Sequence, residues 1–211
     1  MGIIKRNVLF AAVLLLLFHR PVLANTILST TGTFAVDDAE QSFNFTLASA
    51  ATVTMRTWSF GGGTNANGSV ITTGGFAPVL SLFNASGSQP LLAFDTGGTA
   101  PLACGPRNID PVTGFCLDAY LNDFLSAGSY ILVLTQFDNT PNGPNLSDGF
   151  FEQGNGNFTG GPFFLNAGTG FQRTGDWAVD ITTAPEPSTA ALLIPILTLF
   201  VIAHAVRTRR V

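Results

Sequence analysis

The sequence predicts an all-β fold, an antiparallel β-sandwich of jelly-roll type, set between two apolar ends. Three observations predict it. Apolar and polar residues alternate with a period of two in several short runs. Clusters of Gly, Asn and Pro separate those runs. No window between 25 and 184 carries a capped stripe with the 3.6-residue helical period. Residues 25–184 are long enough to bury one core, and about seven to nine short strands fit that length.

The strands are expected in this order. Phe43, Phe45 and Leu47 alternate with Asn44 and Thr46. Val53, Met55 and Thr57 alternate with Thr52, Thr54 and Arg56. Val79 to Phe83 is an apolar run after Pro78, turned by Asn84-Ala-Ser-Gly87. Ser129 to Phe137 is the clearest strand, with Tyr130, Leu132 and Leu134 on one face. Trp177, Val179 and Ile181 form the last. No internal repeat is visible.

The ends read differently. Lys5 and Arg6 precede an apolar core, Val8 to Phe18, and Val22-Leu-Ala24 supplies modest residues where a signal peptidase reads. Residues 1–24 are therefore expected to be a secretory signal peptide cut after Ala24. At the other end Thr189 to Val206 carries no charge over 18 residues. As a helix rising about 1.5 Å per residue it reaches roughly 27 Å, close to a hydrocarbon core of about 30 Å. Pro195 is tolerable in such a transmembrane helix. The basic tail 207–211, with Arg207, Arg209 and Arg210, is expected to stop on the cytoplasmic side.

Charge is unevenly placed along the chain. Three of its nine basic residues (Arg56, Arg107 and Arg173) fall in 25–184, against twelve acids, a net charge of −9 there. Such a surface disfavours nucleic acid and anionic lipid. Cys104 and Cys116, the two cysteines of the chain, both lie in this segment. In an oxidising compartment the pair is expected to form a disulfide closing a turn-rich loop, worth roughly 3 kcal/mol by chain entropy. A metal pair would need two more soft ligands, which the segment lacks.

The available chemistry is narrow. His19 and His204 lie in the apolar ends and the one lysine, Lys5, lies in the first, so 25–184 holds neither type. Ser–His–Asp and Cys–His nucleophiles, His-ligated zinc and a Schiff-base lysine are thereby excluded. Gly61-Gly-Gly-Thr64 lacks the lysine of a phosphate loop and reads as a turn. Carboxylates alone could serve a glycosidase, with two placed about 5 to 9 Å apart. Asp37, Asp38, Glu40, Asp95, Asp118, Asp123, Asp138, Asp148 and Glu152 are the candidates, and no spacing selects a pair. Most sit beside Gly or Asn, where Asp serves the local backbone. A structural calcium, which takes six to eight oxygens, is the other use, with Asp37, Asp38 and Asp95 as the candidate ligands, and solvated turn acids are the expectation for them. Phe150, Phe151, Phe158, Phe163, Phe164 and Phe171 are interleaved with Asn and Gly. They would either grip sugar rings or fill a core beneath a long loop, and the second is the expectation.

Two resemblances bear on function. Pro185-Glu186-Pro187 within the tag 185–189, followed by an apolar helix and an arginine cluster, resembles the PEP-CTERM sorting signal of exported bacterial proteins. That resemblance, over 185–211, implies processing near the Pro-Glu-Pro by the membrane transpeptidase exosortase in a Gram-negative bacterium that makes extracellular polysaccharide. The phrases Phe43 to Leu47, Gly74 to Phe83, Asp95 to Gly98, Asp118 to Tyr120, Leu125-Ser-Ala-Gly-Ser-Tyr130 and Trp177 to Ile181 resemble the bacterial pre-peptidase C-terminal β-sandwich. That second resemblance implies a non-catalytic role in secretion, matrix binding or attachment. The loop from Cys104 to Cys116 has no place in its pattern. The expected function is a non-enzymatic surface or matrix protein, left at the cell surface or in the extracellular matrix after transient membrane anchoring. Its expected partners are signal peptidase, exosortase and extracellular polysaccharide, with no nucleic acid and no cofactor beyond calcium. The alternative is a carbohydrate-binding module or a carboxylate-only glycoside hydrolase.

Overall fold

The structure, a computed structural model, describes residues 24–98, 104–165 and 171–184. Asn25–Ala184 forms one compact unit. Eight strands of five to nine residues build two four-stranded antiparallel sheets. The first runs β1 (Asn25–Thr33), β12 (Asp176–Thr183), β3 (Ala51–Thr57), β8 (Tyr120–Leu125). The second runs β2 (Gln41–Leu47), β9 (Gly128–Gln136), β6 (Pro78–Asn84), β7 (Leu91–Asp95). Strands from both halves of the chain interleave in each sheet, the double Greek-key order of a jelly roll. Four two-residue strands sit inside connections: β4 (Gly63–Thr64) with β5 (Val70–Ile71), and β10 (Phe164–Leu165) with β11 (Phe171–Gln172).

The alternating side chains make the core. Phe43, Phe45 and Leu47 of β2, with Tyr130, Leu132 and Leu134 beside them on β9, face Val53 and Met55 of β3 and Trp177, Val179 and Ile181 of β12 in the opposite sheet. Phe34 stacks on Phe76 at 5.4 Å and Phe76 on Phe163 at 5.3 Å, while Phe34 and Phe43 both meet Trp177 at 5.7 Å. Gly32 is needed here for close approach, because a Cβ on it would lie 2.3 Å from the Trp177 ring. Tyr130 explains the phrase ahead of β9: its hydroxyl donates to the Ser126 carbonyl at 2.7 Å while its ring stacks on Phe45. Gly128 is the first residue of β9, so the turn itself is Ser126-Ala127.

β6 is buried on both faces, which its run of Val79, Leu80, Leu82 and Phe83 about Ser81 anticipates. A second cluster (Phe83, Ile131, Val133 and Phe150) lies on the outer face of the β9–β6 pair. The chain after β9 covers it: Leu91 N–H donates to Pro144 and Leu146 N–H to Gln89. β1, β7 and β8 are strands the sequence pattern does not single out. β1 is NTILSTTGT, four of its nine residues threonine and the strand half exposed, and the alternation of β8 is broken by Asp123.

The connections are of two kinds. Those of 48–50, 85–90 and 126–127 are short turns. Those of 34–40, 58–77, 96–119 and 137–175 are longer. Register places them at opposite ends. Thr183 pairs with Val53 and Val179 with Thr57, so β12 finishes where β3 starts, and the chain reverses at each strand. All three short turns therefore share one end of the sandwich with Asn25 and Thr183. All four long connections leave from the other.

Candidate functional site

The long-connection end holds a buried polar cluster centred on the disulfide loop. Cys104 and Cys116 are joined, as the spacing predicts. All three arginines of the domain converge on this loop. Arg56 donates to the Pro106 carbonyl at 3.1 Å. Arg107 lies within the loop and donates to Asp118 O at 2.8 Å and to the Asp95 carboxylate at 2.8 Å. Arg173 reaches Asp110 at 2.8 Å in an ion pair whose side chains are 4% and 0% exposed. Arg173 also lies over the Phe60 ring at 4.2 Å, and Arg56 over Trp58 at 3.5 Å. In a domain so acidic each cation has a carboxylate or carbonyl to serve.

Asp118 organises the chain after β3. Its buried carboxylate accepts from Ser59 N–H at 2.6 Å, Phe60 N–H at 3.2 Å, Gly61 N–H at 2.7 Å and the Thr57 hydroxyl at 3.1 Å. Burial pushes its carboxyl above the ordinary range although those four donors pull the other way. Asp110 differs. Burial raises it too, but Arg173 and the hydroxyl and N–H of Thr113 outweigh burial and hold it below the ordinary range. Burial lowers the Arg56 guanidinium against the raising charges of Asp118 and Asp180. Asp180 accepts from Trp58 Nε1 at 2.6 Å and Ala66 N–H at 2.9 Å, which draws the 58–71 segment over the first sheet.

The three candidate calcium carboxylates are divided between two sites. Asp37, fully buried, accepts from Thr159 N–H and hydroxyl and from Phe163 N–H. Asp38 accepts from Gly154 N–H at 3.1 Å and Gly156 N–H at 3.0 Å. Together they pin the 154–163 segment to the β1–β2 connection. Asp95 instead takes Arg107, Gly97 N–H and Tyr120 N–H. These partners are N–H and O–H donors, which orient their positive ends where a cation would have to sit. Among the described residues no group of three or more His, Cys, Asp or Glu is placed to hold a metal ion.

The remaining acids are scattered. Glu40 is raised by burial and then by Asp38, and Asp138 by burial and then by Glu152, so these are two pairs close enough to feel one another. Asp148 accepts from Asn145 N–H at 2.9 Å in the 3-10 turn Leu146–Asp148. Asp123 sits on β8. The phenylalanines follow the expectation in part: Phe150 and Phe163 are buried, Phe158 is half-buried, and Phe151 is 60% exposed. The side chains of Phe164 and Phe171 lie outside the described residues. Ala24 is exposed just ahead of β1. Pro185, Glu186, Pro187, Arg207, Arg209 and Arg210, with the apolar segment 189–206, lie outside the described residues.

Asp110, Asp180, Trp58 and Arg173 are the site residues that sequence reasoning missed. Their partners are remote: Arg173 stands 63 positions from Asp110 and Trp58 stands 122 from Asp180. The one available signal was the scarcity of cations, which makes each arginine an organiser of acids.

No family model and no curated protein matches the chain. Among solved structures it is similar to the pre-peptidase C-terminal domain of a collagenase from Bacillus anthracis, at 13% sequence identity and a TM-score of 0.38. The match covers 77% of this chain and 98% of that one. An overlap of that size carries no argument about activity, and the sandwich is established by the strand pairing itself.

Proposed function

We propose that this chain is a non-enzymatic exported protein of a Gram-negative cell surface or extracellular matrix. In this reading signal peptidase cuts after Ala24 and exosortase acts near Pro185-Glu186-Pro187. The helix 189–206 anchors the chain in the inner membrane until then. The mature domain is monomeric or weakly associating and contributes cohesion or adhesion within extracellular polysaccharide.

One observation carries the non-enzymatic part. The domain holds no His or Lys, and its fully buried acids, Asp37, Asp110 and Asp118, are bound to N–H groups, hydroxyls or an arginine that fix connections. A carboxylate employed in this way positions backbone rather than moving a proton. Mass spectrometry of the secreted form tests the processing: the expected mature chain starts near Asn25 and ends near Pro185, and an intact C-terminal helix in mature protein contradicts it. Cell fractionation with and without the last 27 residues tests the anchor. Sugar arrays on the purified domain test the carbohydrate reading, and turnover abolished by one Asp or Glu substitution would establish a hydrolase instead.

A further inference from the structure

An asparagine followed by glycine is where a chain most readily modifies itself. Glycine has no Cβ, so its backbone nitrogen can come close to the preceding side-chain amide. The chain has three such pairs, Asn67-Gly68, Asn142-Gly143 and Asn155-Gly156. All three asparagines are exposed, so access to water does not distinguish them. What distinguishes them is whether the two reacting groups, the side-chain amide and the next backbone N–H, are already bound.

Two of the pairs are bound at both groups. Asn67 Nδ2 donates to Ser29 O at 2.7 Å, and Gly68 N–H donates to Asn65 O at 2.9 Å. Asn155 Nδ2 donates to Glu152 Oε2 at 2.8 Å, and Gly156 N–H donates to Asp38 Oδ2 at 3.0 Å. These bonds must open before the nitrogen can turn onto the side chain. Asn142-Gly143 differs. Asn142 N–H donates to Gly149 O at 3.0 Å, which holds the main chain ahead of the pair. Among the described residues neither the Asn142 side-chain amide nor the Gly143 N–H has a partner. The fold itself requires glycine at 143, because a Cβ there would lie 2.5 Å from Asp148 Oδ2.

We propose that Asn142 is a site of spontaneous, site-selective deamidation, with water as the only co-reactant. The Gly143 backbone nitrogen attacks Asn142 Cγ. The N–Cγ bond forms, the Cγ–Nδ2 bond breaks, and ammonia leaves with the proton that Gly143 gives up. Water then opens the cyclic imide at either carbonyl, giving aspartate or isoaspartate at 142. Nothing is oxidised or reduced. Either product adds a negative charge to a domain of −9. Isoaspartate also lengthens the main chain by a methylene in the segment that leads to buried Phe150. The fold, not the dipeptide, makes the selection among the three pairs. That selection needs only the folded domain, wherever the chain resides.

The test follows the full-length chain, disulfide intact, in mildly alkaline buffer with detergent. Peptide mapping by chromatography and mass spectrometry separates asparagine, aspartate and isoaspartate at each position. A parallel sample is reduced and unfolded in denaturant. There the three sites should convert at comparable rates. In the folded chain Asn142 should lead, with Asn67 and Asn155 slower by roughly tenfold or more, since each must first open two hydrogen bonds. Asp38→Ala with Glu152→Ala removes both acceptors at the third pair. Conversion at Asn155 should then rise toward that at Asn142 while Asn67 stays slow. Equal rates at the three sites in the folded chain, or a lead by Asn67 or Asn155, overturns the proposal. So does an Asn155 rate that the double variant leaves unchanged.

Discussion

The two ends of the sandwich are held by different means. At the short-turn end, turns of two to six residues close on local bonds: the Tyr130 hydroxyl to Ser126 O, and Ser86 N–H to the Asn84 side chain at 2.8 Å. At the other end, connections of up to 39 residues carry little regular structure among the described residues. Ordering so much chain costs conformational entropy that hydrophobic burial alone offsets poorly in polar, Gly-rich segments. There the chain is fixed by one disulfide, one buried ion pair and carboxylates that accept several N–H groups each. Buried acids are signs of catalysis in many proteins. In this molecule Asp37, Asp110 and Asp118 hold connections where the ladders stop, while Asp180 reaches Trp58 and Ala66 from within β12.

The largest expected effect breaks the ion pair. Arg173→Ala leaves Asp110 buried and unpaired, which costs about 3–5 kcal/mol in chemical denaturation; a loss below 1 kcal/mol would show that Asp110 is not buried as described. Next comes the disulfide. Reduction, or Cys104→Ser with Cys116→Ser, should lower stability by roughly 3 kcal/mol and expose the 104–116 segment to protease while β2, β9 and β6 stay protected from hydrogen exchange.

Acid titration separates the carboxylates by sign. Asp110 is held below its unfolded value of about 3.9, so its contribution is present above that pH and lost as pH falls through its folded pKa. Asp118, Glu40 and Asp138 are raised, so their ionised forms cost stability near neutrality and that cost is relieved on acidification. The melting temperature should therefore rise from pH 7 toward about pH 5 and fall below about pH 4. Asp110→Asn should flatten the acidic fall, and a curve unchanged by it would assign that fall to other groups. The smallest effect belongs to the short-turn end: Ser88→Ala should change stability by no more than about 0.5 kcal/mol, because that exposed side chain serves no buried group. A larger loss there would remove the contrast between the ends.

Much of the sandwich was legible in the sequence, because a strand with one buried face writes a period of two. Phe43 to Leu47, Val53 to Thr57 and Trp177 to Ile181 lie on the core face as their alternation requires. β1 was not legible, since threonines half-exposed at an edge give no contrast between faces. Asp37, Asp38 and Asp95 were legible as acids beside turns, but their grouping into one ion site was an inference from sequence neighbourhood, and the fold sends them to different donors.

By itself, then, the sequence determined which residues face inward, that the two cysteines could pair, and how little proton-transfer chemistry the domain carries. These follow from local periodicity and from composition. Only the tertiary structure decided that all three arginines meet one loop, that Asp118 binds the chain 57 to 61 positions away, and that Asn25 and Thr183 end side by side. The physical reason is that hydrogen bonds and ion pairs act over about 3 Å in space whatever the separation along the chain, and strand order sets which distant residues come that close.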